Sequence, residues 1–137
     1  MVARLPVFVA ALWWGSLTVI GFLVVPLLFA HLPTPAIAGQ MAARLFSAQT
    51  WVAVACGMLF LLFSRSNRSS ALVESGKSAL VFVVAGLLLA LLAEFAVSPR
   101  IIARENLKLW HAVGSGLYLL QWLCAGVVLW KAATRRR

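Results

Sequence analysis

The sequence predicts an all-α integral membrane protein, a four-helix bundle built from two helical hairpins, forming a single domain over residues 1–137. Three observations carry this. Hydrophobic residues make up 64% of the chain and charged ones 11%, where a soluble domain has about half and about a quarter. Mean hydropathy is +1.00. The apolar residues fall into four long runs, with the basic residues between and beyond them. A disordered chain is excluded by the same composition.

A helix crosses the ~30 Å hydrocarbon layer with roughly 20 apolar residues. The first span is placed at 7–30. Arg4 before it and Ala36-Ile37-Ala38 after it imitate a secretory signal. The run exceeds the about 7–15 residues of a signal core, so it is expected to stay as a membrane helix. The second span is placed at 35–63. Thr34 caps its start and Pro35 fits the first turn, while Ser47, Gln49 and Thr50 soften the apolar run. The third is placed at 79–97. The fourth is placed at 99–130, opened by Ser98-Pro99 as the second is by Thr34-Pro35. Runs this continuous lack the alternation of a membrane barrel, and lipid leaves only helices as the other solution.

The two Pro-initiated starts share further residues. Ile37 and Arg44-Leu45-Phe46 match Ile101 and Lys108-Leu109-Trp110, all at an offset of 64, which hints at a duplicated hairpin. Ala11/Gly15, Ala53/Gly57 and Gly86/Ala90 supply small-residue spacings for helix contact in lipid. Trp13, Trp14, Trp51, Trp110 and Trp130 read as interfacial anchors. Cys56 and Cys124 lie within apolar runs, outside any CxxC or metal-ligand spacing, and read as small hydrophobes.

Twelve Lys and Arg face three acids, all Glu, giving a net charge of +9. Because the basic residues border the apolar runs, the expected partner is a bilayer with anionic headgroups, and no nucleic acid. With both termini on one side, Arg4, Arg65, Arg68, Lys77, Lys131, Arg135, Arg136 and Arg137 share it. Arg44, Arg100, Arg104 and Lys108 lie opposite. The excess places the termini in the cytoplasm.

Chemistry concentrates on the last long helix. If it is continuous from Pro99, then Arg100, Arg104, Lys108, His111, Ser115 and Tyr118 fall within about 80° of arc. Gln121 flanks this stripe at a deeper level. On one reading the basic residues snorkel to phosphates while His111 and Tyr118 bond between helices. On the other, the stripe lines an outer-side polar pocket. Glu94 is the second clue, since an ionisable residue inside a span is a functional hypothesis by default. Gly86, Ala90 and Glu94 share a face, and His111, Arg100 and Arg104 are its expected partners. His31, His111 and Glu94 form a weak set for haem, copper or another metal. No cofactor is expected on balance. Aspartate is absent, as are GxSxG and glycine-rich phosphate loops, so no catalytic residues are assigned.

Leu12-Trp13-Trp14-Gly15-Ser16, Val25-Pro26-Leu27-Leu28-Phe29 and Arg44-Leu45-Phe46 resemble a bacterial four-helix domain of unknown function, grouped with the transmembrane protein 205-like family. Ser98-Pro99-Arg100 and Trp110-His111 resemble its second half. The resemblance implies a four-span membrane protein and supplies no reaction. The functional expectation is therefore binding or movement of a small polar or anionic solute, a proton or a metal through the outer-side pocket. Four helices enclose a narrow pore at best, so transport calls for a homodimer. The alternatives are a haem- or copper-binding redox protein and an accessory subunit of a larger complex.

Overall fold

The structure, a computed structural model, describes residues 4–66 and 73–134, with side chains described for all of these except 65, 66 and 73–77. Four long helices make up the described chain. Helix α1 is Leu5–His31, α2 is Pro35–Ser66, α3 begins at Val73 and ends at Ile102, and α4 is Leu107–Thr134. Each contains a stretch long and apolar enough to cross a membrane. No more than 33% of any such stretch is buried inside the molecule. Phe8, Leu12, Val81, Phe95, Ile102 and Trp130 all point outwards. An apolar exterior on every helix suits hydrocarbon, where helices satisfy their own backbone.

Two of the helices change register near their middle or end. In α1 the stretch Ile20–Val24 is π-helical, and in α3 the stretch Ala93–Val97 is. Val25 N–H bonds to Ile20 O, and Ser98 N–H to Ala93 O. Pro26 and Pro99 follow each stretch by two residues. Proline lacks an N–H, and its ring presses on the carbonyl four residues back. Widening the preceding turn relieves that pressure without ending the helix.

Hence the fourth helix does not begin at Pro99. The segment Ser98–Ile102 completes α3, and α4 starts at Leu107. Between them the chain reverses through left-handed Arg104 (φ 56°) and Asn106 (φ 32°). Asn106 caps α4, its Oδ1 accepting Leu109 N–H at 3.4 Å and its carbonyl accepting Trp110 N–H at 3.1 Å. Pro35 does open α2, and Ile37 N–H bonds to Thr34 Oγ1 at 3.3 Å. Thr34-Pro35 and Ser98-Pro99 thus hold different structural positions, and the offset of 64 does not relate equivalent elements.

Helix α1 packs against α2 and α4, and α3 packs against α4 and α2. Side-chain pairings set the directions. Ser47 meets Glu94 and Gly57 meets Leu87, while Gly21 meets Tyr118 and Gly126 meets Trp14, so α2 with α3 and α1 with α4 run antiparallel. The turns 32–34 and 103–106 therefore share one end, called the turn end below. The core holds Trp13, Leu17, Phe60, Val83 and Val128, with small residues Ala10, Ala53, Ala90 and Ala125 between them. Trp13 is fully buried rather than anchored at an interface. Gly86 accommodates it: a Cβ there would lie 2.8 Å from Trp13 Cη2. Arg68, Arg135, Arg136 and Arg137 lie outside the described residues, as do the side chains of Arg65 and Lys77.

Candidate functional site

Glu94 lies in the π-helical stretch of α3, half-buried, and its Oε1 accepts the Ser47 hydroxyl proton at 2.7 Å. Ser47 belongs to α2, so the contact ties two spans on the turn-end side of their midpoints. No described cation forms an ion pair with Glu94. A carboxylate can accept about four hydrogen bonds, and Ser47 supplies one.

The basic residues expected beside it are elsewhere. Arg100 is exposed on the last turn of α3, its guanidinium carbon 4.3 Å from the centre of the Trp110 ring. Arg104 occupies the turn, exposed, and Lys108 is exposed at the start of α4. His111 and Ser115 are exposed on the outer face of α4. Tyr118 points inwards and donates to Leu17 O at 2.7 Å. No side-chain hydrogen bond or ion pair joins any two of Glu94, Arg100, Arg104, Lys108, His111, Ser115 and Tyr118. The break at 103–106 is the reason. The stripe assumed one continuous helix, and the reversal puts Arg100 and Arg104 off α4.

His31 is exposed at the end of α1, where Nδ1 lies 3.1 Å from Leu27 O. A carbonyl only accepts, so Nδ1 carries the proton. Among the described residues, no group of three or more His, Cys, Asp or Glu is placed to hold a metal ion. Cys56 and Cys124 are free thiols. On the surface of α1 and α4, an open apolar groove of about 280 Å³ is lined by Trp14, Trp122, Leu123, Gly126, Val127 and Trp130.

Below Glu94 the interior carries polar groups that the sequence pattern did not single out as a site. Gln49 Nε2 donates to Ser16 Oγ at 2.9 Å, and Ser16 Oγ donates to Trp13 O at 3.0 Å. Trp122 Nε1 donates to Thr18 Oγ1 at 2.8 Å, and Thr18 Oγ1 to Trp14 O at 2.8 Å. Gln49 and Gln121 are buried, 2% and 4% exposed. Their depth is legible in retrospect, because each lies near the midpoint of its span.

A family model described as a domain of unknown function, DUF4149, matches residues 8–109. The match covers α1, α2, α3 and the start of α4, and so includes Ser47 and Glu94. No curated protein and no solved structure matches the chain.

Proposed function

Since the chain belongs to the DUF4149 family, whose domain has no assigned activity, we propose a function from the site alone. The protein is a multi-pass, non-enzymatic component of a bacterial inner membrane, a four-helix bundle of two hairpins with cytoplasmic termini. It uses Glu94 to bind a proton or a small solute that donates hydrogen bonds, admitted from the turn end. The grouping with the transmembrane protein 205-like family rests chiefly on the motifs of the first two helices, with Ser98-Pro99-Arg100 and Trp110-His111 matching its second half.

One observation carries the reading: Glu94 stands inside a spanning segment with the Ser47 hydroxyl as its hydrogen-bond partner and no described counter-ion. A carboxyl at that depth is costly to keep. Its open acceptor positions are a demand for a donor, which a proton or a donor-bearing solute meets. The π-helical turn around it fits, since such turns recur at functional positions. Arg100, Arg104 and Lys108 hold the turn end at anionic headgroups.

The chain has three acidic side chains, so its carboxyl vibrations are few. The test is infrared difference spectroscopy, water against heavy water, of wild type, Glu94→Gln and Ser47→Ala in lipid nanodiscs. Wild type should show a carboxyl band, sensitive to exchange into heavy water, that Glu94→Gln removes and Ser47→Ala shifts. Identical difference spectra for wild type and Glu94→Gln would refute the reading.

A further inference from the structure

We propose that the four helices enclose a second polar site at the centre of the bilayer, formed by Trp13, Gln49 and Gln121. It takes a small neutral molecule offering an oxygen acceptor and an O–H or N–H donor.

Depth comes first. Gln49 and Thr50 straddle the midpoint of Pro35–Ser64, Gln121 is beside that of Leu107–Thr134, Ala90 is that of Ser78–Ile102, and Thr18 that of Leu5–His31. The inter-helix contacts align these midpoints. Gln49 is bonded to Ser16, and Trp122 to Thr18. The polar interior therefore sits at mid-membrane, farthest from either aqueous phase.

Three buried polar atoms have no partner: Gln49 Oε1 and Gln121 Nε2 at that level, and Trp13 Nε1 near the level of Gly86, about one turn towards the termini. The residues are 2%, 4% and 0% exposed. Rotating the Gln49 amide does not cure its orphan. The Ser16 hydroxyl spends its single proton on Trp13 O, so it must accept from Gln49 Nε2, which leaves Oε1 open. The three groups face one interior. Trp13 shares a helix face with Ser16 and Leu17, and Gln49 is bonded to Ser16. Gln121 shares a face with Cys124 and Ala125. Cys124 and the Trp13 ring both abut Gly86, where a Cβ would lie 3.5 Å from Cys124 Cβ and 2.9 Å from Trp13 Cζ2. Cζ2 lies on the ring edge that carries Nε1.

The donor count defines the occupant. Trp13 brings one N–H, Gln49 Oε1 accepts, and Gln121, whose amide no hydrogen bond fixes, presents either its two N–H groups or its oxygen, so the occupant both accepts and donates. Water meets this, as does a small primary amide. An ion does not, because all three groups are neutral and offer it no counter-charge. Towards the termini Phe60, Val83 and Val128 close the interior with apolar side chains.

Water-to-indole magnetisation transfer in nanodiscs tests this, with Trp13→Phe used to assign the signal. The Trp13 indole proton should receive magnetisation from water, or from added formamide when an amide displaces the water. Transfer surviving formamide identifies water; transfer replaced by formamide contact identifies an amide-class site. Gln121→Met and Gln49→Leu should each lower occupancy about tenfold, the effect of one ordinary hydrogen bond. Trp122, bonded to Thr18, is the control. A Trp13 signal no stronger than that of Trp122, and blind to formamide and to Gln121→Met, overturns the proposal. Glu94→Gln should leave the signal unchanged, so this site and the Glu94 site stand or fall separately.

Discussion

The Tyr118 hydroxyl donates to the Leu17 carbonyl oxygen across 2.7 Å, immediately before α1 passes into its π-helical stretch. That carbonyl also accepts Ile20 N–H, and Tyr118 fills its second lone pair. Gly21 makes the approach feasible, since a Cβ there would meet Tyr118 Oη at 3.0 Å. Phe46 covers the other side of the ring edge-on, with centroids 5.2 Å apart. A register change in one span is thus stitched to a second span and walled by a third.

Removing the stitch should weaken the fold modestly. Tyr118→Phe is expected to cost about 1 kcal/mol, in the range of interhelical hydrogen bonds in lipid. Gly21→Ala should cost more, about 1–3 kcal/mol, because its methyl overpacks against the ring. Reversible unfolding in mixed detergent micelles measures both. Equal stability of Gly21→Ala and wild type would show that Tyr118 does not sit on Gly21.

Trp13 and Gly86 should behave as a knob and its hole. Trp13→Ala empties a fully buried site and should cost about 3–5 kcal/mol. Gly86→Val fills the hole and should destabilise by more than about 1 kcal/mol. The doubly substituted Trp13→Ala, Gly86→Val protein should recover part of the loss. Strict additivity in that cycle would contradict the packing.

Ser47→Ala strips Glu94 of its hydrogen-bond partner. A hydrogen bond between spans in lipid is worth about 1 kcal/mol, so a loss of that order is expected in the unfolding assay. In the Glu94→Leu background the same Ser47→Ala change should cost far less. A Ser47→Ala penalty independent of residue 94 would mean that the two do not interact.

Arg100 over Trp110 should matter little. The pair is exposed at the turn end, and exposed cation–π contacts contribute about 0.5–1 kcal/mol. Arg100→Ala should stay within that figure by unfolding while reducing flotation with anionic vesicles. A larger stability loss would assign Arg100 a structural role.

Span identity was legible because hydropathy alone decides it. A run of twenty apolar residues has no other low-energy solution in lipid. The start of α4 was not. Ser98-Pro99 has the grammar of a helix start, yet Ala93–Val97 widens so that Pro99 continues α3. The real start carried its own signal in Asn106, a favoured N-cap residue. The candidate stripe failed with that boundary, since an arc of residues has meaning only on one unbroken helix. Glu94 was legible as an oddity of charge in lipid, but its partner was sought among cations. Ser47 answers through a hydroxyl, which leaves no mark in a charge count. Gln49 was legible only as softening its run and Gln121 only as flanking the stripe, because the order of residues does not show that two amides on different spans are buried in one interior. Their weight comes from depth and burial, which emerge once the spans are aligned.

Reachability of residue 94 from one side of the membrane is the most direct measure of the functional claim. With Cys56→Ala and Cys124→Ala removing the native thiols, Glu94→Cys can be exposed in oriented vesicles to a membrane-impermeant, positively charged thiol reagent. Modification from the side opposite the termini, and none from the terminal side, is the predicted result. A thiol at position 94 that reacts from neither side would contradict a binding carboxyl open at the turn end.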